Sequence, residues 1–227
     1  MKEILAEAIN GIDWNVPESL SYILHNKRSH ETYYRDNILN YLTLVSELKF
    51  HKEKLIDGVK HQKIDLIEEN PSFESNHFII EPSTKEKIPV VRFIEFGHNG
   101  ITQPHEYNIN KSLSDIKKRL LTQELKNELF TVQIVLDIKK QTKQKTDTTI
   151  STDSLVDNSS KIKSIDADYL KLDPEYVKIP IHLNDGANII DLYFYICGPF
   201  NKDSWTGIQD EFKTYKTTKG QALNIIK

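Results

Sequence analysis

Two strand-like segments of this chain each place one acidic residue inside an otherwise apolar run. The first is Lys63–Ile67, which contains Asp65, and the second is Val90–His98, which contains Glu95. Burying a carboxylate among branched and aromatic side chains costs free energy, so such a residue needs a compensating partner. If the two segments are neighbouring strands, both acids lie at one edge of a sheet. That arrangement suits a divalent cation held by hard oxygen ligands.

The hydrophobic pattern around these segments mixes helices with strands. Between Glu31 and Phe50 the apolar positions recur at steps of three and four residues, which is typical of an amphipathic helix. The pattern predicts helices over Leu5–Ile12, from Pro17, over Glu31–Phe50 and from Ser112 to about Asn127, and strands over Lys63–Glu68, His77–Pro82, Pro89–Gly97, Leu129–Ile138, Tyr176–Leu183 and Ile189–Gly198. The sequence therefore predicts the α/β class, with a mixed central sheet flanked by helices.

A polar segment interrupts this pattern. From Lys139 to about Ser164, Lys, Gln, Thr, Ser and Asp dominate and the apolar periodicity is weak. Such a composition buries little apolar surface, so we expect residues 139–175 to be a flexible insertion. Apart from that insertion, residues 1–227 are expected to form one domain, which agrees with the length of the chain.

The order of elements and the two acids together resemble the PD-(D/E)XK nuclease superfamily, which includes many restriction endonucleases and repair nucleases. The shared order is a helix, three meandering strands, a helix and a further strand, over roughly Pro17 to Ile138. The resemblance implies a restriction-endonuclease-like fold and a DNA endonuclease that hydrolyses phosphodiester bonds with Mg²⁺ or Mn²⁺. It also implies a setting in bacterial antiviral defence. Fold alone does not establish such a function.

The family motif can be carried over residue by residue. Asp65 matches the metal-binding Asp of one strand, and Glu95 matches the acid of the Glu-x-Lys motif on a neighbouring strand. A glutamate on the first helix often contributes to the metal site in this family. Glu31 is the better match for that role, and Glu47 is the alternative. The resemblance thus implies Asp65, Glu95 and Glu31 as metal ligands.

The lysine of the motif is missing, because Gly97 occupies its position. In the family this lysine orients the attacking water and stabilises the charge that develops on the phosphate. His98 can replace it only if the strand ends at Gly97, because alternation along a strand otherwise points His98 away from Glu95. Lys117 on the following helix, or its neighbours Lys111 and Lys118, is the other candidate.

A catalytically inactive protein is the competing interpretation. Asp65 is also explained as a strand-edge acid that pairs with Lys63 or Arg92. In that case the scaffold serves as a module that binds DNA or a protein. A homodimer is compatible with both interpretations, since enzymes that cut both strands of a duplex often act as two copies.

The charge distribution is relevant to DNA binding. The net charge is −3, so a basic surface must be local. Basic residues concentrate between positions 111 and 145, namely Lys111, Lys117, Lys118, Arg119, Lys126, Lys139, Lys140, Lys143 and Lys145. They are explained either as a solvated face or as a surface that follows the phosphate backbone.

Composition excludes several other classes. The single cysteine, Cys197, rules out an intrachain disulfide and a cysteine-built zinc site. There is no Walker loop, dinucleotide-binding glycine motif or nucleophile elbow, which argues against kinase, dehydrogenase and hydrolase functions. Neither a signal peptide nor a membrane-spanning run is apparent, so a cytoplasmic protein without membrane contact is expected.

Overall fold

A seven-stranded mixed sheet with helices on both faces forms the centre of the protein, as the α/β prediction requires. The computed structural model describes residues 1–25, 30–56, 63–75, 77–101, 109, 112, 113, 116, 128–140 and 157–201. The helices are α1 (Lys2–Gly11), α2 (Pro17–His25), α3 (His30–Val45) and α4 (Ser159–Leu172). The strands are β1 (Lys49–Leu55), β2 (Lys63–Glu69), β3 (Phe78–Ile80), β4 (Lys87–Gly100), β5 (Glu128–Lys140), β6 (Val177–Asn184) and β7 (Asn188–Phe200).

The strand order is β1-β2-β4-β5-β7-β6, and β3 pairs with β4 outside this path. The β4–β5 pair is parallel and the other pairs are antiparallel. A parallel pair needs a long crossover connection, and the segment 101–127 supplies it here. The restriction-endonuclease-like fold implied by the family resemblance stays a prediction beyond this coarser architecture.

Each face of the sheet has its own hydrophobic core. One face packs against α1, α2 and α3 through residues such as Leu5, Ile38, Ile94, Phe96 and Phe194. The opposite face packs against α4 through a second set that includes Phe93, Val135, Ile165, Tyr169 and Tyr195. We call these the α3 face and the α4 face. Because side chains alternate along a strand, each β4 or β5 residue can be assigned to one of the two faces.

Two differences from the predicted elements have clear physical reasons. The helix predicted over Glu31–Phe50 ends at Val45, and Lys49 and Phe50 already belong to β1. β1 was not predicted, because this edge strand is mostly polar and lacks an apolar alternation. Its partner is β2, with Lys52 opposite Leu66.

The interpretation of residues 139–175 as a flexible insertion is wrong for Ser159–Leu172, which form α4. The polar composition obscured an apolar stripe at steps of three and four residues. That stripe comprises Ile162, Ile165, Tyr169 and Leu172, and it packs against the sheet. Lys139 and Lys140 continue β5 rather than opening a loop. Residues 141–156 lie outside the described residues.

Most of the helix predicted from Ser112 to about Asn127 also lies outside the described residues. Of this segment, Ser112, Leu113 and Ile116 are described, and all three are buried. Leu113 and Ile116 belong to the core of the α4 face. None of the described helices is both long and apolar enough to cross a bilayer.

Candidate functional site

The backbone brings the two predicted acids onto neighbouring strands. β2 and β4 are antiparallel, with Leu66 paired to Ile94. A regular continuation of that register by one position would set Asp65 across from Glu95 with both side chains on one face. The recorded β2–β4 pairing stops at Leu66 and Ile94, so the two acids lie just past the end of this ladder. The prediction that the two strands are neighbours is therefore confirmed.

The carboxylate of Asp65 is bound by two groups of the protein. Its Oδ2 accepts a hydrogen bond of 2.7 Å from the backbone N–H of Phe96. Its Oδ1 lies 3.5 Å from the guanidinium Nη1 of Arg35 on α3. The hydrogen bond from the Phe96 N–H holds the carboxylate between β2 and β4. There the carboxylate oxygen accepts the bond that a backbone carbonyl of β2 would accept in a regular ladder. The sequence had offered Lys63 or Arg92 as ion-pair partners, and the cation found beside Asp65 is Arg35.

Arg35 holds several carboxylates at this point. Its side chain is almost completely buried, and it pairs with Asp36 and Glu53 at 3.0 Å each in addition to Asp65. Burial works against its charge, but the hydrogen bonds to Asp36 and Glu53 outweigh that effect and raise the pKa of Arg35. Arg35 is thus a permanent positive charge next to the predicted metal ligand Asp65.

Glu95 points to the other side of the sheet. Its neighbours Ile94 and Phe96 both belong to the core of the α3 face, so alternation directs the Glu95 side chain to the α4 face. Glu95 is only 5% exposed. Asp65, in contrast, contacts a residue of α3. The two carboxylates have adjacent backbones but different surroundings, and their sharing of one ion stays a prediction.

His98 lies on the face opposite to Glu95. β4 continues to Gly100, so the strand end at Gly97 that would let His98 turn back does not occur. The imidazole of His98 stacks on the ring of Tyr34 from α3, with the ring centroids 5.5 Å apart. Burial raises the pKa of the Tyr34 hydroxyl strongly. His98 is therefore part of the packing between β4 and α3.

The remaining predicted site residues are less informative. Glu31 lies in the first turn of α3, where a negative charge is favourable next to the helix N-terminus. Lys117 lies outside the described residues. Within the described ranges there is no group of three or more His, Cys, Asp or Glu side chains that could hold a metal ion.

A set of buried polar side chains on the α4 face was not predicted. It comprises Asn99 on β4 and Thr131, Gln133 and Asp137 on β5, and we call it the polar tract. Glu95 lies on the same face, opposite Thr131, and Gly97 lies opposite Gln133. The tract follows the second half of β4. The carboxyl ends of parallel strands are a frequent position for ligands in α/β proteins.

The polar tract contains hydrogen-bonding atoms that are not used among the described residues. These atoms are Asn99 Nδ2, Thr131 Oγ1, Gln133 Nε2 and Asp137 Oδ2, all buried. Asp137 Oδ2 does lie 3.4 Å from the ammonium group of Lys139. Thr131 is paired in register with Cys197, and a weak hydrogen bond between the two side chains counteracts part of the rise that burial causes in the pKa of the Cys197 thiol. Buried polar atoms without partners are rare and require an explanation.

Asp137 also joins the tract to an ion cluster that spans three strands. Asp137 on β5 lies directly opposite Asp191 on β7, and Asp191 lies directly opposite His182 on β6. The ammonium group of Lys139 is 2.8 Å from Asp191, and His182 Nδ1 is 2.7 Å from the other oxygen of Asp191. Asn158, just before α4, donates a hydrogen bond of 2.9 Å to Asp137. Asp137 and Asp191 are both buried.

The charges of this ion cluster explain its pKa shifts. Burial opposes the charge of Asp191, but the hydrogen bonds from Lys139 and His182 outweigh it and lower the pKa of Asp191. The same contact to Asp191 is the main cause that raises the pKa of Lys139. The signal for the cluster was present in the sequence, since Asp137 and Asp191 are also acids inside apolar strands.

A third group of charges surrounds Arg92. Its Nη1 lies 2.9 Å from the carboxylate of the buried Glu68, and its Nε donates at 2.8 Å to Glu128. Burial raises the pKa of Glu68 even though Arg92 opposes that shift. A cavity of about 340 Å³ lies beside this group, lined by the first residues of α1 together with Arg92, Glu128, Phe130 and Pro199. The guanidinium of Arg92 is thus paired with two carboxylates.

Comparison with known proteins adds no relative. No protein-family model, no curated protein and no solved structure matches this chain. The class that the structure defines is a mixed α/β protein with a seven-stranded sheet flanked by helices.

Proposed function

We propose that this protein is a DNA-binding module that has the strand order of a nuclease scaffold but does not cleave phosphodiester bonds. The observation that carries the proposal is the environment of Asp65. Its carboxylate accepts a hydrogen bond from the Phe96 N–H and faces the guanidinium of Arg35. A metal ligand in a nuclease needs a carboxylate oxygen that is available to the ion. Both oxygens of Asp65 already face donors of the protein.

The position of Glu95 supports the same conclusion. A metal that activates a water molecule must contact the scissile phosphate and the acidic ligands at the same time. The backbone of a DNA duplex cannot reach a carboxylate that is 5% exposed and lies under the α4 face. In addition, the lysine position holds Gly97, and His98 lies on the other face.

DNA is the partner that the charge pattern favours. The basic segment between positions 111 and 145 stands in a chain of net charge −3, which makes it a local concentration. Lys139 does not contribute, because its ammonium group is bound by Asp191. The candidates that carry the proposal are therefore Lys117, Lys118 and Arg119, which are consecutive in the sequence.

Fluorescence anisotropy with a labelled duplex at several salt concentrations tests this proposal. We expect binding that weakens as salt rises, because phosphate contacts release counterions. Replacing Lys117, Lys118 and Arg119 together by Glu should abolish it. The matched control replaces three exposed lysines, Lys85, Lys161 and Lys171, by Glu, which lowers the net charge by the same amount elsewhere and should leave most of the affinity. Equal losses in both variants, or no binding by the parent protein, would overturn DNA binding.

A metal-dependent DNA endonuclease is the second candidate, because Asp65 and Glu95 lie on neighbouring strands just past the end of the β2–β4 pairing. It is tested by incubating supercoiled, linear and single-stranded DNA with Mg²⁺ or Mn²⁺. Cleavage that disappears in both Asp65→Ala and Glu95→Ala, but persists in the exposed control Glu86→Ala, would establish this candidate and refute the non-catalytic one. Binding without cleavage would support the module.

A further inference from the structure

The polar tract is buried on the α4 face of the sheet rather than exposed to solvent. Asn99, Thr131 and Gln133 are each at most 3% exposed, and they share the α4 face of two neighbouring strands. Same-face neighbours along a strand are about 6.6 Å apart, and adjacent strands are about 4.8 Å apart. Side chains on such a grid face a common space, although the buried Val135 lies between Gln133 and Asp137 on the same face.

Leaving these groups without partners would be costly. A buried amide or hydroxyl that makes no hydrogen bond loses its interaction with water and gains nothing in return, at a cost of about 1–3 kcal/mol. Several such groups in one place would consume a large part of the free energy of folding of an ordinary domain. The tract therefore requires a partner that the side chains of the described residues do not supply.

The chemistry of the tract limits what that partner can be. Asn99 Nδ2 and Gln133 Nε2 are donors and need an acceptor, whereas Asp137 Oδ2 is an acceptor that already faces the Lys139 ammonium group at 3.4 Å. A bare cation does not satisfy the amide donors. An anion is disfavoured by Asp137 and by Glu95 on the same face. Water both donates and accepts, and buried water commonly makes about three hydrogen bonds to such groups.

We propose that the polar tract is a binding site for a row of internal water molecules, which bridge Asn99, Gln133 and Thr131. These waters complete the hydrogen bonding of the parallel β4–β5 pair beneath the α4 face. They also hydrate the interior next to the Glu95 position. The site depends on buried contacts alone and does not depend on whether the protein binds DNA.

A crystal structure of the full chain at a resolution that resolves water tests the site directly. The expected result is density for water within hydrogen-bond distance of the Asn99 and Gln133 amides and of the Thr131 hydroxyl. The proposal is overturned if the amides are flipped so that they bond to each other or to the backbone. It is equally overturned if a metal ion or another small molecule occupies the tract.

Thermal unfolding of matched variants provides an independent measurement. Thr131→Val keeps the shape of the side chain and removes the hydroxyl, whereas Thr131→Ser keeps the hydroxyl. If water is bound there, the valine variant loses a bridged hydrogen bond and should melt about 2–4 °C lower. The same comparison applies to Gln133→Met, which should also lower the melting temperature. An unchanged or higher melting temperature in both Thr131→Val and Gln133→Met would contradict the water row.

Discussion

The Phe96 N–H donates a 2.7 Å hydrogen bond to Asp65, and this contact joins β2 to β4 where their backbone pairing stops. A side-chain oxygen thereby satisfies a buried backbone donor that would otherwise lack a partner. The residue that the nuclease resemblance marks as a metal ligand thus has a structural role of its own. This double assignment leads to the first prediction.

Asp65→Ala should destabilise the protein by about 1–3 kcal/mol, because it leaves the Phe96 N–H buried without an acceptor. Asp65→Asn retains a carbonyl oxygen in the same position and should cost clearly less. Urea denaturation of the two variants measures the difference. Glu53→Ala serves as the control, since Glu53 also pairs with Arg35 but is far more exposed, and it should cost less than about 1 kcal/mol. Equal losses for Asp65→Ala and Asp65→Asn would show that the hydrogen bond contributes nothing.

Arg92→Ala should be among the most harmful single substitutions. It leaves the carboxylate of Glu68, whose side chain is 2% exposed, without its cation. Removing one partner of a buried ion pair typically costs about 3–5 kcal/mol. The loss should be smaller at pH 5 than at pH 8, because burial raises the pKa of Glu68 and a proton can then replace the missing cation.

Denaturation of the Arg92→Ala variant at both pH values measures these losses. Glu128→Gln removes the exposed partner of Arg92 and should have little effect. A loss below about 1 kcal/mol for Arg92→Ala, or one that does not depend on pH, would contradict the pairing.

Acid should destabilise the ion cluster through Asp191. Its folded-state pKa is lowered, so its contribution is fully present above the ordinary aspartate pKa of about 3.9 and is lost as the pH falls through the lowered value. Lys139→Met removes a cation that lowers this pKa, and should therefore flatten the acid limb of a plot of melting temperature against pH. The exposed control Glu175→Gln should leave that limb unchanged. An unaltered acid limb in Lys139→Met would exclude Asp191 as its source.

Ile165→Ala tests whether α4 belongs to the core. Ile165 is 2% exposed and packs against the sheet with Tyr169 and Leu172. Truncating a buried isoleucine typically costs about 2–5 kcal/mol. The matched control, Lys161→Ala, lies on the exposed side of the same helix and should change stability by less than about 0.5 kcal/mol. Similar small effects of both substitutions, measured by denaturant unfolding, would mean that the helix is not part of the cooperative fold.

Local patterns were sufficient where one face of an element is apolar. The spacing of Tyr34, Ile38 and Leu42 predicted α3, and the uninterrupted apolar runs predicted β4, β5 and β7. The same reasoning failed for β1, whose residues are mostly polar because it is an edge strand. It also failed for α4, because the polar composition of that segment obscured a correctly spaced apolar stripe.

The site was less predictable than the fold, because a site depends on which face each side chain occupies. The apolar surroundings of Asp65 and Glu95 predicted two strands, and the family resemblance implied that these strands are neighbours, as they are in the structure. The partner of Asp65, however, comes from a distant part of the chain, since it is Arg35 on α3. An acid in an apolar strand indicates that a partner is needed, but not which partner meets it.

By itself, then, the sequence determined the α/β class, most of the strands and the presence of acids that must be compensated in the interior. Periodicity and the cost of burying charge act locally, so they can be read along the chain. Only the tertiary structure decided that Asp65 meets Phe96 and Arg35, that Glu95 and His98 face opposite sides, and that Asp137, Asp191 and His182 form one row. Those outcomes depend on strand register and helix packing, which bring together residues that are far apart in the sequence.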